Sequence, residues 1–206
     1  MKKIKNIIFD VGNVLFKYYP EHIISALLPK TNNKDFYLEK LFLADIWQLL
    51  DRGDLDINSA IYEISNKHSL TENQKNNIRL LINDFYKHLI LDKDMQDLFI
   101  TCTKFYNVYI LSNFQSQSFS NLKKDFPFLN LAKSEVVSAN VKMMKPELGI
   151  YHYLLSQEKI IPEESVFIDD MLDNVNAANS LLINTIHHKS YKNTLSKLHK
   201  LGIKFQ

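Results

Sequence analysis

The chain has 206 residues and a formal net charge of +2, with 46% hydrophobic and 23% charged residues. That length suffices for one sizeable core with a small accessory domain, and so balanced a charge gives no reason to expect nucleic acid or an acidic membrane surface as a partner. The single cysteine, Cys102, excludes an intrachain disulfide, and the apolar run before Asp10 is too short for a signal peptide or a membrane span, so the expected location is the cytoplasm.

Residues 5–9 read as a buried strand, apolar and partly β-branched, that ends at an acid. From 18 to 91 no convincing strand follows, and the pattern is helical. Residues 21–28 form a short amphipathic segment between Pro20 and Pro29. Apolar residues then recur at spacings of three and four from 35 to 50, predicting one helix that stops near Gly53. A further helix is expected over 57–68. Thr71 followed by Gln74 resembles a capping box for another, ending near Leu89. From Asp92 the rhythm changes. Helices are predicted over 92–105, 115–125, 174–182 and 192–201, and Pro146 is expected to open one more. Strands are predicted over 108–111, 135–138, 166–168 and 184–186. Strands alternating with helices imply a parallel sheet covered on both faces. The expected fold is therefore α/β, a Rossmann-like core of residues 1–17 and 92–206, with 18–91 inserted after the first strand as a helical cap.

In an open α/β sheet, ligands collect beyond the carboxyl ends of the strands. Three predicted strand ends carry reactive groups, namely Asp10, Ser112-Asn113 and Asp169-Asp170, and Lys145 precedes the Pro146 helix. Phosphoryl transfer asks for such a set. An aspartate attacks phosphorus. A divalent ion such as Mg2+ offsets the repulsion between that carboxylate and a phosphate dianion, and takes hard oxygens from one or two carboxylates. A hydroxyl, an amide and an ammonium hold the remaining phosphate oxygens.

Four stretches resemble the ordered motifs of the haloacid dehalogenase-like (HAD) hydrolases. They are Ile-Ile-Phe-Asp10-Val-Gly-Asn-Val-Leu, Ile-Leu-Ser112-Asn113, Lys145-Pro146-Glu-Leu-Gly-Ile-Tyr151, and Val-Phe-Ile-Asp169-Asp170 with Asn174-Val and Ala177-Ala178 after it. The opening Phe-Asp-x-Gly-Asn-Val, and the segment from Trp47 to Tyr62 with Arg52-Gly53-Asp54, resemble the subgroup that contains bacterial α-D-glucose-1-phosphate phosphatase. The resemblance implies that Asp10 is nucleophile and magnesium ligand, Asp170 the second carboxylate ligand, Asp169 an outer-shell or water-mediated one, and the Gly12 carbonyl a further ligand. It implies that Ser112 binds a phosphate oxygen, that Asn113 orients the bound group, and that Lys145 balances charge.

Gly12 is also a departure, because most phosphatases of the family carry a second aspartate there as general acid, worth roughly 10²–10⁴-fold. Good leaving groups, as in a sugar 1-phosphate, suffer least from that loss. A replacement acid is sought at the cap entrance, among Tyr18, Tyr19, Glu21 and His22. Leu182 departs too, where the family has glycine. Within the cap, Trp47 reads as core packing ahead of a substrate platform, and Arg52 as a solvated arginine or a substrate contact. The adjacent His187 and His188 point to opposite faces and do not make a metal pair. The expected ligand is a small phosphorylated metabolite, a sugar phosphate first and a nucleotide or flavin mononucleotide second. Two other readings stay open, a metal-independent dehalogenase, against which the acid pair speaks, and a phosphate-binding module that Gly12 has left without turnover. Monomer and homodimer are equally compatible with the sequence.

Overall fold

The computed structural model describes residues 2–205. The chain enters through β1 (Asn6–Phe9) and a two-residue strand β2 (Phe16–Lys17), which pairs antiparallel with β3 (Ile90–Leu91). The main sheet adds β4 (Asn107–Ser112), β5 (Ser134–Val137), β6 (Ser165–Asp169) and β7 (Asn184–His187). It is parallel throughout, in the order β5-β4-β1-β6-β7. Its strands are apolar on both faces because both are covered. Ile7, Phe9, Ile110 and Ile168 pack into one hydrophobic cluster, while Ile8, Tyr109, Leu111 and Phe167 pack into another on the opposite side.

Between β2 and β3 lie α1 (Pro20–Leu27), α2 (Lys34–Tyr37), α3 (Asp45–Arg52), α4 (Ile57–His68) and α5 (Glu72–Asp84). The sheet is flanked by α6 (Lys93–Thr103), α7 (Ser116–Asp125), α8 (Ser138–Val141), α9 (Leu148–Gln157), α10 (Leu172–Ser180) and α11 (Tyr191–Lys200). The first hydrophobic cluster continues into the inserted helices through Ile23, Trp47, Ile78 and Phe85.

The structure departs from the predicted elements in several places. The helix expected over 35–50 is three pieces: α2, a π turn over Leu38–Phe42, and α3 after an extended Ala44. The wide turn buries both Leu41 and Phe42 and turns Leu43 outward, 69% exposed, so the unbroken apolar spacing concealed the break. The helix expected to run to Leu89 keeps its capping box but ends at Asp84, followed by a 3₁₀ turn over Phe85–His88. Residues 90–91, where no strand was expected, form β3. Pro146 opens no helix, since α9 begins at Leu148. The main chain of Lys145 is held by a side chain from β4's end, and Glu147 N–H closes a turn onto the Met144 carbonyl. Leu182 is left-handed, with φ 65°, which costs roughly 1 kcal/mol relative to glycine.

His188 is 3% exposed and shares a hydrogen with the Thr194 hydroxyl at 2.8 Å. Burial pushes its imidazole down to about 4. Because the folded value lies below the unfolded one, the unfolded chain binds the extra proton, and stability drains as pH falls from about 6.5 towards 4. Urea unfolding of wild type should therefore lose about 2–3 kcal/mol more between pH 7 and pH 4.5 than unfolding of His188→Gln; equal losses would remove His188 as the cause.

Candidate active site

The sheet's register builds the site. Phe9 on the central strand is level with Ile110 on one side and Ile168 on the other, so Asp10 and Asp169 leave adjacent strands at one height. Ser112, 1% exposed, ends β4 beside them. Asp10, Asp169 and Asp170 each present a carboxylate oxygen within 4.8 Å of the others. Lys145 comes from the loop before α9, and its buried Nζ lies 2.8 Å from Asp10 Oδ1 and 2.6 Å from Asp169 Oδ2.

A second set of contacts fixes these groups. Asn113 Nδ2 donates to the Lys145 carbonyl at 2.9 Å and Asn113 Oδ1 accepts the Lys145 N–H at 2.8 Å. This amide, expected to orient a bound group, is thus occupied mainly in holding Lys145, with one N–H to spare. Asp169 accepts from the Met171 N–H at 2.8 Å, and Asn174 Nδ2 donates to both its oxygens at 3.0 and 3.1 Å. Asp170 accepts from Asn13 Nδ2 at 3.2 Å, and its carbonyl meets His187 Nε2 at 2.8 Å. Asp10 Oδ1 accepts a second hydrogen bond from Val11 N–H at 2.7 Å, while Oδ2 has no partner among the described residues.

Sequence reasoning gave no role to Asn13 or Asn174. Asn13 adopts φ 51°, a conformation that asparagine tolerates better than most residues. Its Oδ1 also accepts the Tyr18 N–H at 3.0 Å, so it staples the loop after β1 to Asp170. The signal was the asparagine of the Asp-x-Gly-Asn run, readable only with a geometry in hand.

Three carboxylates face one ammonium here. Burial foremost pushes Asp10 up to about 7, with Lys145 opposing and Asp169 and Asp170 adding to the rise. Burial, then Asp169, raises Asp170 as well. Burial works against the charge of Lys145, but Asp10 and Asp169 together reverse that and hold it above its usual range. The excess of buried negative charge and the all-oxygen donor set fit a hard divalent cation. The Gly12 carbonyl is left free by the main-chain bonds of its loop, which use Val11 and Phe16. A Cβ on Gly12 would meet nothing within 4 Å, so there is room where the acid is missing.

The cap candidates sit differently. Trp47 is packed in an aromatic cluster, 4.5 Å from Phe42 and 5.0 Å from Phe85 between ring centres. Arg52 forks onto the Glu147 carboxylate, with Nη1 at 3.0 Å, and its Nε is 3.6 Å from Asp54. Gly53, at φ 81°, presses so close to α8 that a Cβ would lie 2.6 Å from the Ala139 carbonyl oxygen. The helical segment is thereby docked on the loop that carries Lys145 and on α8.

No protein-family model matches the chain. It is 25% identical over 198 residues to a sesquiterpene phosphatase of Aspergillus oryzae, covering 96% of each chain. It is 25% identical over 189 residues to a D-ribitol-5-phosphate phosphatase of Bacteroides thetaiotaomicron, covering 86% of this chain and 88% of that one. A drimenol cyclase of Aspergillus calidoustus is 27% identical over 191 residues, but the chain spans only 34% of its length. Among solved structures, a HAD family enzyme of B. thetaiotaomicron in complex with magnesium and inorganic phosphate superposes with a TM-score of 0.74 at 25% identity, over 90% of this chain and 94% of that one. The likeness to these phosphatases and to the HAD family enzyme, with the carboxylate cluster at the strand ends, supports the resemblance to the haloacid dehalogenase-like hydrolases.

Proposed function

We propose that this hydrolase is a magnesium-dependent phosphatase of small phosphorylated metabolites, sugar or sugar-alcohol phosphates foremost, working through an aspartyl phosphate on Asp10. The observation that carries the reading is the convergence of Asp10, Asp169 and Asp170 around the single ammonium of Lys145. The relatives that act on phosphorylated small molecules and the neighbour solved with magnesium and phosphate support it. A bound magnesium, held by Asp10, Asp170 and the Gly12 carbonyl with Asp169 behind them, would neutralise the phosphate and the carboxylates that face it.

The protein's own groups do the rest. Asp10 Oδ1 is pinned by Val11 N–H and Lys145, which leaves Oδ2 free to attack phosphorus. Ser112 and the spare Asn113 N–H hold phosphate oxygens at the end of β4. Lys145 compensates the charge that Asp10 and phosphate bring together. Water then hydrolyses the aspartyl phosphate. Residues 18–91 act as the cap, docked through Arg52 and Gly53, and exclude bulk water from the intermediate. A metal-free dehalogenase has no use for so many carboxylates at one point.

The test is phosphate release from ribitol 5-phosphate, glucose 1-phosphate, nucleotides and p-nitrophenyl phosphate. Turnover should fall more than tenfold when magnesium is chelated and return when it is restored. Undiminished turnover in chelator would end the metal-dependent reading. Gly12→Asp supplies an acid in the open space beside Asp10. It should raise turnover of alkyl phosphates about tenfold, within the range general acids contribute, with less gain on p-nitrophenyl phosphate. No gain on either would mean that proton delivery to the leaving group is not limiting.

A further inference from the structure

One partly buried polar group at the seam is unused by this mechanism. Asp51 stands in the last turn of α3, and its carbonyl accepts a hydrogen bond from the Ser138 hydroxyl. That same hydroxyl accepts the Phe114 N–H at 2.9 Å. The turn is therefore fastened to the loop that follows Ser112 and Asn113, where the close approach of Gly53 to Ala139 leaves no slack. Two side chains neighbour the Asp51 carboxyl. Gln115 lies three residues beyond Ser112 and is 9% exposed. Tyr18 lies across the seam, its ring set among Phe42, Trp47 and Phe85. The Tyr18 hydroxyl and the Gln115 amide nitrogen are both buried without a hydrogen-bond partner among the described residues.

These three groups are also tied to the acid cluster from two sides. Tyr18 donates its N–H to Asn13, which holds Asp170. Gln115 continues the strand end that carries Ser112. Packing gives no account of them, because a buried donor left unmade destabilises the fold and an apolar trio of the same shape would not. A ligand hydroxyl does account for them. It donates one hydrogen and accepts two, which matches a carboxyl oxygen on one side and a phenol and an amide N–H on the other.

We propose that Asp51, Tyr18 and Gln115 form the leaving-group subsite, which selects phosphates of alcohols carrying further hydroxyls over phosphates of apolar alcohols. This rests on the phosphatase reading above and names the substrate class of that same site. Burial holds the Asp51 carboxyl well above its usual range. A carboxyl in this place accepts a hydrogen bond from a sugar hydroxyl.

The experiment measures kcat/KM for ribitol 5-phosphate and for p-nitrophenyl phosphate on the same samples of wild type, Asp51→Asn and Tyr18→Phe. The ratio of the two constants is blind to any misfolded fraction. It should fall about tenfold or more in both variants, as loss of a buried hydrogen bond to substrate predicts. A ratio within twofold of wild type in both overturns the subsite. Binding of ribitol 5-phosphate is titrated calorimetrically in parallel, on Asp10→Asn with and without Asp51→Asn. If wild type releases no phosphate from any compound, the phosphatase reading falls and the titration alone decides. About tenfold weaker binding in the double variant supports the subsite, while equal affinity, or no binding in either, refutes it.

Discussion

Phosphate release from p-nitrophenyl phosphate at saturating magnesium falls roughly 10⁴-fold or more in Asp10→Asn, the size of loss seen when an enzyme's nucleophile is removed. Asparagine has the same shape, so Oδ1 can still accept the Val11 N–H that holds Asp10 at 2.7 Å. What goes is the charge and the lone pair at Oδ2. The fold should survive, because the exchange removes one carboxylate from a cluster that burial and its acid neighbours already strain. A thermal melt within a few degrees of wild type, with no turnover, is the expected pair of results. Turnover within tenfold of wild type would mean that phosphorus is not attacked by Asp10.

Lys145→Met acts on stability and activity together. Nζ is the sole ammonium at hydrogen-bond distance from Asp10 and Asp169 among the described residues, and it is buried with them. Removing one partner of a buried ion pair leaves uncompensated charge and typically destabilises by about 3–5 kcal/mol. Turnover should drop about 10²–10³-fold, as for loss of a preorganised charge in a dry site. Added magnesium supplies positive charge at the same point, so the stability deficit in urea unfolding should shrink when magnesium is present. A variant as stable as wild type without magnesium would show that Lys145 does not carry the charge balance of the cluster.

The order of strands and helices in the sheet region was legible because the buried strands are short apolar runs, two of them ended by a polar pair, Ser112-Asn113 and Asp169-Asp170. The Thr71–Gln74 cap was legible for a local reason, since both its bonds close within three residues. The break between Phe42 and Asp45 was not, because apolar spacing records which face is buried and is silent about an extra residue in the turn. Nor were β2 and β3, two residues each, whose pairing depends on chain ends far apart in sequence. In the site, the groups at strand ends could be named from the pattern alone. Asn113's grip on Lys145 could not, because it joins positions 32 apart and no periodicity reports it. Asp51 was passed over for a different reason. Acids in surface helices are ordinary, and only coordinates show this one at a seam with a buried phenol and a buried amide nitrogen that lack partners among the described residues.

The reciprocal bonds between Asn113 and the Lys145 main chain make the end of β4 and the loop before α9 a single mechanical part. A tug on that loop, for instance through the Arg52 fork on Glu147, would travel to the strand that carries Ser112 and would not be absorbed as local slack. If residues 18–91 act as the proposed cap, its opening and the loosening of the grip on an anion would then be one motion, and product could leave without any group at the strand ends having to swing away by itself.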